Sequence, residues 1–210
     1  MESAEWTSLG EYVERIGSQK VSELLSLETA TEGWEDLGVK DAVHSYRRAT
    51  ETGLYYIKGV GDMAFPPQTI YELTQDYGRK KQWDQMFLEG RIVHVFNEHS
   101  KVLYEQFSAP WPVSNRDFVF ATYAQSAADL IVSAGFSVEH PSVPPVKGPV
   151  RAHMEIGGFV FRALGNGQTR VTYTLFMDPK GSIPQMVVNS TQKKQTQNVS
   201  KIRAFLTKSS

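Results

Sequence analysis

The chain contains no cysteine. That excludes disulfides, thiolate metal sites and a cysteine nucleophile. It has no excess of either charge: 22 Lys and Arg against 23 Asp and Glu leave a formal net charge of −1. No global basic field points to nucleic acid, and no nucleic-acid partner is expected. Long apolar runs are missing, since nothing approaches the roughly 20 consecutive apolar residues of a membrane span. The opening stretch MESAEWTSLGEYVERIG has acids where a secretory signal needs bases, and no apolar core. A soluble, cytoplasmic chain is expected, in which the sequons at Asn189 and Asn198 stay unused. No G-x-S-x-G elbow or P-loop occurs. His44, His94, His99, His140 and His153 show no close metal spacing such as H-E-x-x-H. No metal and no cofactor are expected.

What is present is enough for a sizeable core: 210 residues, 40 % hydrophobic and 11 % aromatic. Apolar positions at Tyr12, Val13, Ile16, Val21, Leu24 and Leu25 predict an amphipathic helix over 10–28, or two short ones broken near Gly17. Residues 33–63 read as three strands, with a turn at Thr50–Gly53. Pro66–Pro67 opens a helix over 68–78. Six further strands are predicted between Arg91 and Met177. DPKGSIP at 178–184 breaks the sheet, and one long helix is expected from Ile183 to Leu206. Helix, antiparallel sheet, helix is an α+β pattern. The closing helix has apolar ends, but its middle, NSTQKKQTQN, is almost wholly polar. Either that middle faces solvent, or it faces something other than a packed core. GVGDMA at 59–64 has dinucleotide-loop spacing, but Phe65–Pro66–Pro67 delays the helix such a loop requires. The end of a hairpin is expected there.

PWPVSNRDFVF at 110–120 places a tryptophan between two prolines and runs into a strand-forming aromatic segment. With KKQWDQ at 80–85, VEHPSVPPVKGPVRA at 138–152 and TRVTYTLFMDPKGSIPQMVVN at 169–189, it resembles the StAR-related lipid-transfer (START) domain family. The resemblance runs over residues 8–207, and a single domain is expected over 1–210. Within the family, the motifs are most similar to the phosphatidylcholine-transferring and sterol-binding branches.

The resemblance implies a helix-grip fold. A curved antiparallel sheet would wrap around the long C-terminal helix, with one lipid, a phospholipid or sterol, in an internal tunnel. It implies a monomeric, non-enzymatic carrier that touches membranes transiently. Trp111 would sit at the tunnel mouth and meet the membrane interface; the other reading packs it on its own domain. Strand alternation then places Leu103, Glu105, Phe107, Phe118, Phe120, Thr122, Arg151, His153, Glu155, Tyr173, Leu175 and Met177 on the lipid-facing side. Met186 and Val187 would join them from the last helix. Arg151 or His153 would partner Glu105, unless the register slips and leaves Glu105 in solvent, while Arg116 and Asp117 would form a structural pair. Arg79–Lys80–Lys81 is either a solvated face or a contact for lipid phosphate or an anionic membrane.

Matched to the family's motifs, the choline-cage aromatics fall on Glu105, Phe118 and Glu155, so two of the three are lost. The phosphate-binding arginine falls on Lys80. The acid of the sterol branch is kept at Glu105, but its arginine partner falls on Thr122. Two other functions stay open. One is a cyclase of the polyketide type using Glu105, His153 and Glu155. The other is a lipid-sensing interaction module.

Overall fold

The computed structural model of the chain describes residues 2–183, 187, 188, 191 and 194–209. It opens with one helix, α1 (Glu2–Thr29). Three antiparallel strands follow: β1 (Glu35–Lys40), β2 (Val43–Ala49) and β3 (Tyr55–Met63). Two short helices, α2 (Pro67–Gln75) and α3 (Tyr77–Trp83), lead into a meander of β4 (Phe87–Val95), β5 (Ser100–Phe107), β6 (Arg116–Ala127) and β7 (Leu130–Ser137). β8 (Val150–Arg151), β9 (His153–Gly165) and β10 (Gln168–Asp178) complete the sheet. The last element is α4 (Asn198–Ser209).

The strand order is β1-β2-β3-β10-β9-β7-β6-β5-β4, with β8 pairing β6 in parallel. After β3 the chain leaves the middle of the sheet, crosses one face as α2 and α3, and re-enters at the far edge as β4. α4 packs on β3 and β10. This is the helix-grip arrangement the resemblance implies. No helix among the described residues is long and apolar enough to cross a membrane.

The two faces bury different things. On the outer face Val13, Val21, Leu24 and Leu27 of α1 meet Val102, Val119, Val132, Ala134 and Ile156 of the sheet. On the inner face Ile70, Leu73, Val199, Ile202 and Leu206 from the helices pack on Ile57, Phe161 and Val171.

Four expectations about elements change, among them the one long helix from Ile183 to Leu206, which a turn at Thr196–Gln197 interrupts. α1 is not broken at Gly17. A Cβ there would lie 2.4 Å from the Tyr123 ring, so the glycine lets the helix lie close on β6. The helix expected over 68–78 is two helices. Asp76 leaves helical backbone angles (φ −90°, ψ 95°), and its carboxylate accepts the Arg79 N–H, capping α3. GVGDMA is neither a dinucleotide loop nor a hairpin end. It continues β3, and its glycines lie under the C-terminal segment: a Cβ on Gly59 would be 2.4 Å from the Thr196 carbonyl oxygen, and one on Gly61 would be 3.1 Å from Val199. That segment is helical at 187, 188, 191, 194 and 195, and a turn at Thr196–Gln197 separates these residues from α4.

Lys58 closes the other end of α1. Only 4 % exposed, it donates to the carbonyls of Leu27 (3.0 Å) and Ala30 (2.9 Å), and it lies 4.3 Å from the Trp34 ring centroid. A cation at a helix C-terminus satisfies its orphan carbonyls and its dipole. Burial, and then Arg48, hold its pKa below the ordinary lysine value. Lys58→Met keeps the stem and removes the donors. It is expected to lower stability by roughly 1.5–3 kcal/mol, the range for hydrogen bonds to charged groups. Urea unfolding reads this, and an unchanged midpoint would show that water replaces the ammonium.

Candidate functional site

Between the inner face and the helices lies a cavity of about 210 Å³. A single water needs only about 10–15 Å³, so this is a space on the scale of a ligand. Its walls are mainly apolar: Phe107, Phe118, Phe120, Phe159, Tyr173, Leu175, Met154 and Met177 from the sheet, Trp83 from α3, and Val187 and Val188 from the C-terminal segment.

Of the residues expected to face a lipid, Lys80, Glu105, Phe107, Phe118, Phe120, Thr122, Tyr173, Leu175, Met177 and Val187 line this cavity. Met186 lies outside the described residues, as does the sequon residue Asn189. Leu103 points to the same face but is fully buried in the packed base under the wall, with Phe118, Phe120 and Ala152.

Arg151, His153 and Glu155 do not line the cavity. Opposite β10, Phe176 pairs with Ile156 and Met177 with Met154, so Glu155 is an extra residue in a bulge. From Gly157 onward the odd residues face inward; before the bulge the even ones, Ala152 and Met154, do. His153 is 51 % exposed at the side chain, and Glu155 accepts from Lys20 of α1 at 2.7 Å. The Lys20 hydrogen bond is the main cause holding the Glu155 carboxyl below its ordinary pKa. The trio Glu105, His153 and Glu155 is therefore split between the two faces.

Glu105 has a different partner from those expected. Its carboxylate meets the Lys80 ammonium at 2.5 Å, and it is 2 % exposed. The ammonium also lies 5.1–5.5 Å from the ring centroids of Tyr77, Phe87 and Phe107, within cation–π reach. Burial, and then the Glu105 charge, push the Tyr77 phenol up. α3 brings these groups in: Tyr77, Lys80 and Asp84 follow i, i+3, i+7 spacing and share one side of the turn.

At the α3–α4 junction Asp84, 2 % exposed, lies 3.5 Å from Lys201, which donates to Asn198 at 2.9 Å. Asn198 in turn donates to Gln195 at 3.0 Å. Burial, with Asp84 adding to it, raises the Tyr173 phenol. Among the described residues no group of three His, Asp or Glu side chains could hold a metal.

Arg116 and Asp117 do not pair with each other. Adjacent strand residues point to opposite faces. Asp117, on the outer face, receives both ends of the Arg151 guanidinium at 3.1 and 3.0 Å. Arg116 lines the cavity and donates to three carbonyls: Ser114 at 2.5 Å, Lys180 at 2.8 Å and Pro179 at 3.0 Å. Those bonds tie the loop after β10 to the loop before β6. In the latter, Pro110 and Val113 line the cavity while Trp111 is 93 % exposed, and the Val113 N–H donates to the Pro110 carbonyl at 2.9 Å. Trp111 is therefore not packed on its own domain.

The START domain family model matches residues 18–209. START domain-containing protein 10 of Homo sapiens is 33 % identical over 125 residues, which cover 59 % of this chain and 43 % of that protein. The chain thus matches less than half the length of that relative. Phosphatidylcholine transfer protein of Bos taurus is 28 % identical over 162 residues, 74 % of this chain and 75 % of that one. The crystal structure of human STARD10 superposes with a TM-score of 0.80 at 26 % identity, covering 89 % of this chain and 79 % of that chain. Human StAR-related lipid transfer protein 5 shares the fold, with a TM-score of 0.82 at 21 % identity over 93 % of this chain and 98 % of that one.

Proposed function

Since the chain belongs to the START domain family, we propose that it binds one lipid, a phospholipid or sterol, in the inner cavity and carries it between membranes. One START unit, spanning about residues 8–207, would act as a monomer in the cytoplasm and meet bilayers transiently. The observation that carries this reading is a ligand-sized cavity with apolar walls beside a loop that exposes a tryptophan. Aromatic and methionine walls exclude water from an acyl chain or sterol ring, and the few polar groups orient its head. No covalent step is part of the proposal. The direct test is transfer of labelled phospholipid and labelled sterol between vesicles, with native mass spectrometry of the co-purified lipid. Absence of any transfer and any bound lipid would overturn the reading.

In this reading Trp111 enters the headgroup region during exchange. Trp111→Ala removes a ring that contacts almost nothing in the protein, so melting should be unchanged. Transfer between vesicles should slow by about tenfold, equivalent to ~1.4 kcal/mol. An unchanged transfer rate would show that the loop does not act in exchange.

A further inference from the structure

The charges on the cavity wall do not balance. Among the described residues, four charged side chains line it: Lys80, Asp84, Glu105 and Arg116. Lys80 and Glu105 neutralise each other, and Asp84 is met by Lys201. Arg116 remains. It is 8 % exposed, and among the described residues no carboxylate lies within ion-pair distance of it. None of residues 184–186, 189, 190, 192 and 193 is an acid. Burial holds the Arg116 pKa below the ordinary arginine value, and no acid offsets that. Three carbonyl oxygens take three of its five N–H groups. Carbonyl dipoles solvate the cation without cancelling its charge, and a buried charge left unpaired is costly.

We propose that Arg116 is an oxyanion subsite of the cavity and that the lipid it favours is net anionic, carrying a phosphate diester or a carboxylate. The proposal rests on the lipid-carrier reading and deepens it. A zwitterionic headgroup fits less well, because its ammonium would find both wall acids, Asp84 and Glu105, already paired. A neutral lipid leaves Arg116 as it is. Among the described residues, the two N–H groups not engaged by carbonyls are one on each terminal nitrogen, which suits two oxygens of one anion.

The test is titration of the full chain with fluorescent diacylglycerol, phosphatidylcholine and phosphatidylglycerol of identical acyl chains, together with a fluorescent fatty acid. Wild type is expected to bind phosphatidylglycerol and the fatty acid about tenfold tighter than diacylglycerol, equivalent to ~1.4 kcal/mol. Arg116→Gln should abolish that preference, bringing the ratio of anionic to neutral affinity close to one. Arg116→Lys, which keeps the charge, should retain part of it. The ratio of anionic to neutral affinity separates ligand contact from loop support, since loosening the loops lowers every affinity together. Equal affinities in wild type, a result that needs no variant to fold, would overturn the proposal. So would a parallel loss of all ligands in Arg116→Gln. Protection against unfolding by inorganic phosphate through Arg116, with no preference among lipids, would assign the site to a free anion and also overturn it. If no lipid binds at all, the carrier reading falls first and takes this proposal with it.

Discussion

Lys80→Met is expected to cost about 3–5 kcal/mol of stability, the range for breaking a buried ion pair from one side. The methionine can still fill the space among Tyr77, Phe87 and Phe107, so little packing is lost. What is lost is the counter-charge of Glu105, which is 2 % exposed and has no second cation within ion-pair distance among the described residues. The double variant Lys80→Met/Glu105→Leu should recover most of the loss, because replacing both members by apolar side chains removes two desolvation penalties together. Urea unfolding of the four proteins in the cycle measures this. A single variant within about 1 kcal/mol of wild type would mean that the pair is effectively solvated, like a surface bridge.

Gly59→Ala is expected to lift the C-terminal segment off the sheet. The new Cβ would lie 2.4 Å from the Thr196 carbonyl oxygen, 3.1 Å from its carbon and 3.2 Å from its Cα. All three atoms are backbone, so no rotamer change relieves the contact. Overpacking of this kind costs about 1–3 kcal/mol. Separation would also break the buried Ser45–Thr196 hydroxyl bond of 2.8 Å, worth about 1 kcal/mol. Val188, Gln195 and Asn198 of the same segment line the cavity, so bound lipid should leave at least tenfold faster. Hydrogen exchange across α4 and the rate of lipid dissociation report the two effects. Gly61→Ala, facing the movable Val199 side chain and the Ala42 carbonyl oxygen at 3.1 Å, should do less. Unchanged protection in Gly59→Ala would show that the segment already shifts freely.

Much of this architecture was legible because periodicity and punctuation agree. Period-two segments gave every strand of the meander, and Pro66–Pro67 marked the start of α2. Two of the misreadings share a cause: contacts between elements distant in sequence. Gly17 and Gly59 look like breakers, yet each exists because another element lies on it, Tyr123 in one case and Thr196 in the other. Within the site, the residues on β5, β6 and β10 followed from alternation. From α3 the resemblance had pointed to Lys80, while Tyr77 and Asp84 were signalled only by their spacing from it. The sequence pairing of Arg116 with Asp117 ignored the alternation that separates them, and with it the unpaired cation.

The bulge at Glu155 also limits what can be inherited by alignment. Position 155 matches an aromatic of a choline cage in the family motif, yet here it is a carboxylate joined to α1 on the outer face. Parity carried backward across that residue assigns the wrong face to everything from 151 to 154. When this chain is compared with its kin, variation at 151 and 155 bears on how the 138–149 loop and the first helix are docked. Variation at 154, one step away, bears on what the chamber accommodates, since Met154 lines it. Two histories are interleaved in five consecutive residues, and only a comparison that allows for the extra residue can read them apart.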